Sequence, residues 1–276
     1  MTNHTFQWQT TDNLTIQAQS WEPERRIKAV ICLVHGLGEH SNRYAHFAAF
    51  FTEQGYAVIT YDQRGHGKSE GKRGHTPSFN HLLEDVTELL NLSEERFPGI
   101  PRLLYGHSMG GNLALNYGIH YKPKIEGITA SGPWIKLAFE PPKFKVTLGK
   151  LMNSIYPAFS QGNELDPNLI SRDPETVEQY KNDELVHNVI SAALFFETYQ
   201  AGYAIIDNAA KLTLPVLLMH GSEDYLTSHK GSRQLADNAG NNLTYKEWEG
   251  FYHEIHNDPE REEVMQYTLN WIEKHL

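Results

Sequence analysis

The stretch Tyr105–Gly111, YGHSMGG, places Ser108 between Gly106 and Gly110. A serine in a G-x-S-x-G frame serves as a nucleophile when a strand runs into it and a helix runs out, because the sharp turn between them lifts its hydroxyl clear of the backbone. Otherwise it is a polar turn or a helix cap. The hydroxyl needs a base to take its proton, and the base needs an acid to orient it. Downstream, LLMHGSEDYLTS offers Asp224, and EGFYHEIHND offers His253 and His256. Each has a plainer reading: Asp224 as the cap of the next helix, His253 as a surface imidazole. Acyl transfer also needs two N–H donors where the oxyanion develops. Met109 follows the serine, and Leu37 lies in VHGLGEHSNRY.

These groups do chemistry only if the surrounding elements bring them together. RLLY (102–105) predicts a strand and GGNLALNYGIHY a helix ending at Tyr121, so Ser108 has the required strand, turn and helix. AVICLV (29–34) and YAVITY (56–61) are continuous branched apolar runs, the pattern of parallel strands covered on both faces. Between them, NRYAHFAAFFTEQG reads as a helix closed by Gly55. Ser78 is placed to cap FNHLLEDVTELLNLSEERF, whose apolar residues form one stripe. Leu14, Ile16 and Ala18 alternate with polar residues, as in an antiparallel strand with one wet face.

IEGITAS, PVLLMHG and LTYKEW add strands, and PEREEVMQYTLNWIEKHL closes with a helix. The class is α/β, with a mostly parallel sheet flanked by helices. Leu37, Ser108, Asp224 and His253 each follow a strand, so all four fall at the edge where open α/β sheets bind ligands. The interval 136–213 breaks this rhythm. A structureless loop of that length is implausible in a compact domain, so it predicts a helical cap inserted into a core of 1–135 and 214–276.

Several other chemistries fit poorly. Gly36 and Gly38 follow a strand as in a dinucleotide site, but Ser41 replaces the third glycine and Glu39 would repel a pyrophosphate. YDQRGHGKSEG lacks the upstream glycine spacing of a P-loop and reads as a structured turn at the same edge. No H-E-x-x-H occurs, and His253 with His256 has no third ligand in sight, so neither a metal nor another cofactor is expected. A net charge of −10 without a basic run argues against nucleic acid and anionic membranes as main partners. The one cysteine, Cys32, allows no internal disulfide. The N-terminal residues lack a secretory h-region, and the apolar runs are too short to span a bilayer, so a cytoplasmic protein is expected.

With HGLGEHSNRY, YDQRGHGKSEG, YGHSMGG, ISRDPETVEQYKND, HGSEDYLTS and EGFYH in this order, the chain resembles the α/β-hydrolase fold and, within it, the monoglyceride lipase and lysophospholipase group. The resemblance implies Ser108 as nucleophile, Asp224 as acid, His253 as base, and Leu37 and Met109 as oxyanion donors. It implies a small lipid ester as substrate, most specifically a monoacylglycerol, with at most transient contact between cap and lipid interface. It further implies a glycerol-recognition site drawn from Glu39, Arg43 and His256. The alternative for the first two is a structural i, i+4 pair holding the oxyanion loop. A general carboxylesterase, a lysophospholipase, a peptidase of the proline-iminopeptidase type and an inert ligand-binding protein of the same fold remain as competing readings.

Overall fold

The computed structural model describes residues 1–276, the side chains of Lys143 and Lys145 apart. An antiparallel ribbon opens the chain: β1 (Thr2–Gln9) pairs with β2 (Thr15–Glu22) around a turn in which Asn13 takes φ 63°. Asparagine tolerates that left-handed conformation better than most residues. Then follow β3 (Val30–Val34), α1 (Ala45–Glu53), β4 (Ala57–Tyr61), α2 (Phe79–Arg96), β5 (Arg102–His107), α3 (Met109–Tyr121) and β6 (Gly127–Ser131). The interval after β6 carries α4 (Lys143–Ile155), β7 (Ser160–Gly162), α5 (Pro174–Asn182), β8 (Val189–Ser191) and α6 (Ala192–Asp207). β9 (Val216–Gly221), α7 (His229–Asn238), β10 (Leu243–Trp248) and α8 (Arg261–Glu273) complete it.

Eight strands form one sheet in the order β1-β2-β4-β3-β5-β6-β9-β10. β2 runs antiparallel to both neighbours, and every pairing from β4 to β10 is parallel. β3, β4, β6 and β9 are buried at every position, as parallel strands covered on both faces are, and this matches their largely apolar sequences. One apolar layer gathers Leu82, Val86, Leu113 and Ile128 under α2 and α3. The other gathers Phe47, Phe51, Leu269 and Trp271 under α1 and α8. Each such side chain removed from water contributes about 1.5–3 kcal/mol, so the sheet is a rigid platform for the loops at its edge. Among the described residues, no helix is long and apolar enough to cross a membrane.

Two local expectations need correction. Ser78 does not cap α2; its hydroxyl pairs with His81 Nδ1 at 2.8 Å, and the Glu197 carboxylate of α6 accepts the Phe79 amide instead. The inserted interval is not wholly helical, because β7 and β8 pair antiparallel within it. Its C-terminal end is also stitched into the main body. Ile205, Ile206, Ala209 and Leu212 belong to the principal core, and Asn112 Nδ2 of α3 donates to the Thr198 carbonyl at 3.2 Å.

Candidate active site

Ser108 sits between β5 and α3 with φ 54° and ψ −117°, a conformation that L residues avoid. Its surroundings hold it there. The Ser108 amide donates to the Ser131 carbonyl at 3.0 Å, and its own carbonyl accepts from the Asn112 and Trp134 amides at 3.0 and 2.9 Å. The turn also requires close approach of α3 to β3: a Cβ at Gly110 would stand 2.1 Å from the Val34 carbonyl oxygen. Strain of this kind is retained where it presents a side chain for chemistry.

His253 Nε2 lies 2.9 Å from Ser108 Oγ, and His253 Nδ1 lies 2.7 Å from Asp224 Oδ2. A carboxylate only accepts, so Nδ1 carries the proton and Nε2 is free to take one from the serine. Asp224 is fixed on its other side, where Oδ1 accepts the Leu226 and Thr227 amides at 2.8 and 2.9 Å. Burial would raise its pKa, but His253 and the hydrogen bonds from His220 and His253 hold it far below the usual carboxylate range. Burial likewise presses His253 down, and the Asp224 charge and hydrogen bond outweigh it, leaving His253 above its ordinary 6.5. The base acts only when neutral, so kcat/KM should rise with pH along a limb whose midpoint lies above 6.5. A pH–rate profile without such an acid limb would contradict the assignment of His253 as base.

Met109 follows Ser108 as the first residue of α3, Leu37 lines the same cavity as Ser108, and among the described residues no hydrogen bond from either backbone amide to another group is recorded. Leu37 belongs to a loop pinned at several points. The Gly36 amide donates to Glu39 Oε1 at 2.6 Å, and the Ser41 amide and hydroxyl donate to Asp62 Oδ1 at 2.8 and 2.6 Å. Asp62 also accepts the Lys68 amide at 2.8 Å, so the glycine-rich turn after β4 braces the loop after β3.

Glu39, Arg43 and His256 do not converge on a common pocket. Glu39 lines the cavity beside Ser108, but Arg43 and His256 do not. Arg43 donates to Glu39 Oε2 at 2.6 Å and makes two bonds of 2.7 Å to Glu254, which commits its guanidinium to two carboxylates. Tyr44 donates its hydroxyl to Glu39 Oε1 at 2.8 Å, and the Arg43 charge holds Glu39 at about 2 despite its burial. His256 is fully buried against Tyr44, with ring centroids 4.9 Å apart, and burial together with His107 and His46 keeps it neutral. Arg43 and His256 are therefore supports behind the wall, and the expectation that they contact substrate is corrected.

Sequence reasoning missed Glu254, Thr227 and His220. Thr227 Oγ1 stands 2.9 Å from Asp224 Oδ2 and 3.2 Å from His253 Nδ1; His220 Nε2 stands 3.0 Å from Asp224 Oδ2. His220 precedes Asp224 by four residues at the end of β9, the one local signal for its role.

Above these groups opens a cavity of about 660 Å³. Ser108, Leu37 and His253 form its floor, and Phe139, Phe144, Leu148, Met152, Phe159 and Phe195 from the inserted interval supply apolar wall. Leu151, Ile155 and Tyr156, from the same interval, lie outside it and are exposed.

A mostly parallel sheet with helices on both faces, a nucleophile turn after β5, and an acid and histidine after β9 and β10 define an α/β-hydrolase of the serine type. The chain belongs to the family described as "Serine aminopeptidase, S33", which matches residues 25–260. It is 35% identical over 258 residues to a monoacylglycerol lipase of Mycolicibacterium smegmatis, a match covering 93% of this chain and 92% of that protein. An uncharacterized abhydrolase domain-containing protein of Dictyostelium discoideum is 38% identical over 279 residues; the match covers 100% of this chain and 30% of that longer protein. Among solved structures, the monoacylglycerol lipase of Paleococcus ferrophilus matches with a TM-score of 0.84 and 36% identity over 100% of both chains.

Proposed function

We propose that the chain cleaves monoacylglycerols to glycerol and fatty acid through an acyl-enzyme on Ser108. The observation that carries this reading is an apolar cavity meeting the Ser108–His253 pair at its floor. An acyl chain needs a dry, apolar wall, and the cap side chains provide one. Ser108 Oγ attacks the ester carbonyl while His253 Nε2 takes its proton. The Leu37 and Met109 amides receive the oxyanion, and its collapse expels glycerol, protonated by His253. Water repeats the sequence, freeing the fatty acid.

An aminopeptidase, as the family description names, must also bind a free α-ammonium. Two of the carboxylates that line the cavity, Glu39 and Glu254, are already committed to Arg43, which weakens their attraction for an ammonium. Glu164, Asp166 and Asp183 line it as well, so turnover of an aminoacyl anilide decides the point. The exposed apolar stripe of α4, with Leu151 53% and Ile155 70% exposed, supports transient contact with a lipid interface.

A kinetic panel tests these points together: monolauroylglycerol, trilaurin, lauroyl lysophosphatidylcholine, p-nitrophenyl laurate and prolyl p-nitroanilide. The expected result is a kcat/KM for the monoacylglycerol about tenfold or more above the triacylglycerol and lysophospholipid, with no turnover of the anilide. Preference for the lysophospholipid or the anilide would replace the reading. Repeating the ester assays across the critical micelle concentration should show a rate increase on aggregation; a flat response counts against interface contact.

A further inference from the structure

The loop carrying Leu37 is anchored from two directions. On the core side, the Gly36 amide is held by Glu39, and Ser41 by Asp62. On the other side stands the segment Asp183–His187 of the inserted interval. The His187 amide donates to the Gly38 carbonyl at 2.8 Å, and His40 Nε2 meets Asp183 Oδ2 at 2.8 Å. Gly38 takes φ 78°, and a Cβ there would stand 2.4 Å from the His187 carbonyl oxygen, so the approach of the two backbones depends on glycine. Asp183 is itself set by a turn in which Oδ1 accepts the Leu185 amide at 2.9 Å.

Leu37 thus lies between a residue fixed by the core and a residue fixed by the cap. An oxyanion donor works only if its N–H is already aimed at the developing charge, and small displacements of such groups cost rate rather than binding. A second stretch of the inserted interval, residues 170–172, is seated on the loop that follows β10. Ser171 Oγ and the Arg172 amide donate to Asp258 Oδ1 at 3.0 and 2.7 Å, and the Glu254 amide beside His253 donates to the Ile170 carbonyl at 2.7 Å.

We propose that Asp183 is a positioning residue, which through His40 sets the oxyanion loop and so makes transition-state stabilisation depend on how the cap is seated. The proposal rests on the serine-hydrolase reading above. Asp183 also lines the cavity, so the competing role is direct contact with the substrate. The two roles differ in which kinetic constant and which substrates suffer.

The experiment is a double-mutant cycle of Asp183→Ala and His40→Ala, assayed on p-nitrophenyl acetate, p-nitrophenyl laurate and monolauroylglycerol. Each single variant should lose about 10- to 100-fold in kcat on all three esters, with KM changing little. The double variant should be no worse than the poorer single, because both remove one interaction. His40→Gln, which keeps a donor near the same place, should recover most of the loss. Independent, multiplicative losses would overturn the proposal. So would a defect confined to KM for monolauroylglycerol, or a kcat within twofold of the unaltered protein. Thermal melting accompanies each assay. If Asp183→Ala fails to fold, His40→Ala against His40→Gln decides, with equal losses from both counting against the latch. Because the unaltered protein is assayed in parallel, absence of esterase activity there would overturn the parent reading instead.

Discussion

Ser108→Ala should abolish about three or more decades of ester turnover while leaving the protein folded. The hydroxyl lies 2.9 Å from His253 Nε2 at the cavity, so its removal takes away the proposed nucleophile and leaves the Leu37 and Met109 amides and the cavity in place. Alanine suits the site structurally. It bears the same cost as serine at φ 54°, and the backbone bonds to Ser131, Asn112 and Trp134 do not involve the side chain. Melting temperature should therefore change by only a few degrees, the range of about 1 kcal/mol in a chain of this size. A fluorophosphonate probe should label the unaltered protein and not the variant. Near-normal hydrolysis by the variant would remove Ser108 from the mechanism, and an unlabelled parent would favour the inert-binder reading.

Ser108, Asp224 and His253 were legible because each signal is local. A strand, a sharp turn and a helix surround Ser108, Asp224 follows the apolar run of β9, and His253 follows β10, whose Leu243, Tyr245 and Trp248 mark a strand of mixed polarity. The partners of Arg43 were half legible. Glu39 is its neighbour across one helical turn, whereas Glu254 is 211 residues away and nothing in the chain marks the pairing. His256 shares the loop of His253, but it lies in a single 3-10 turn, Ile255–Asn257, whose three residues all face inward. Spacing from a reactive neighbour does not report that direction.

The same limits act on the fold. β1 alternates Phe6 and Trp8 with Gln7 and Gln9, yet most of it is exposed, and an edge strand with so few buried residues gives a weak apolar pattern. α6 carries the opposite signal. Its apolar residues wrap around several faces, as in a helix shared between cap and core, and that is why a boundary at 213 cuts through packed side chains. The Asp183–His40 pair has no sequence signal at all, since 143 residues separate its members.

Asp224→Asn should cost about 10⁴ in kcat, a larger loss than the small change in shape suggests. The reason lies in which way the new amide must turn. Oδ1 of Asp224 accepts two backbone N–H groups, from Leu226 and Thr227 at 2.8 and 2.9 Å, and an amide nitrogen placed there would face two donors. The asparagine oxygen therefore stays at the Oδ1 position, and its NH₂ occupies the position of Oδ2. There it points at His253 Nδ1, 2.7 Å away, and donates to it. An imidazole that accepts at Nδ1 carries its proton on Nε2, so it cannot take one from Ser108. Its positive form also loses the carboxylate that sustained its raised pKa. The NH₂ meets His220 Nε2 as well, 3.0 Å from the same site, so that ring must give up the proton it directs at the carboxylate. The expected record is a fall in kcat with KM little changed, and an acid limb in the pH profile displaced downward. A loss of less than about tenfold would show that His253 is oriented by another group and would remove Asp224 from the triad.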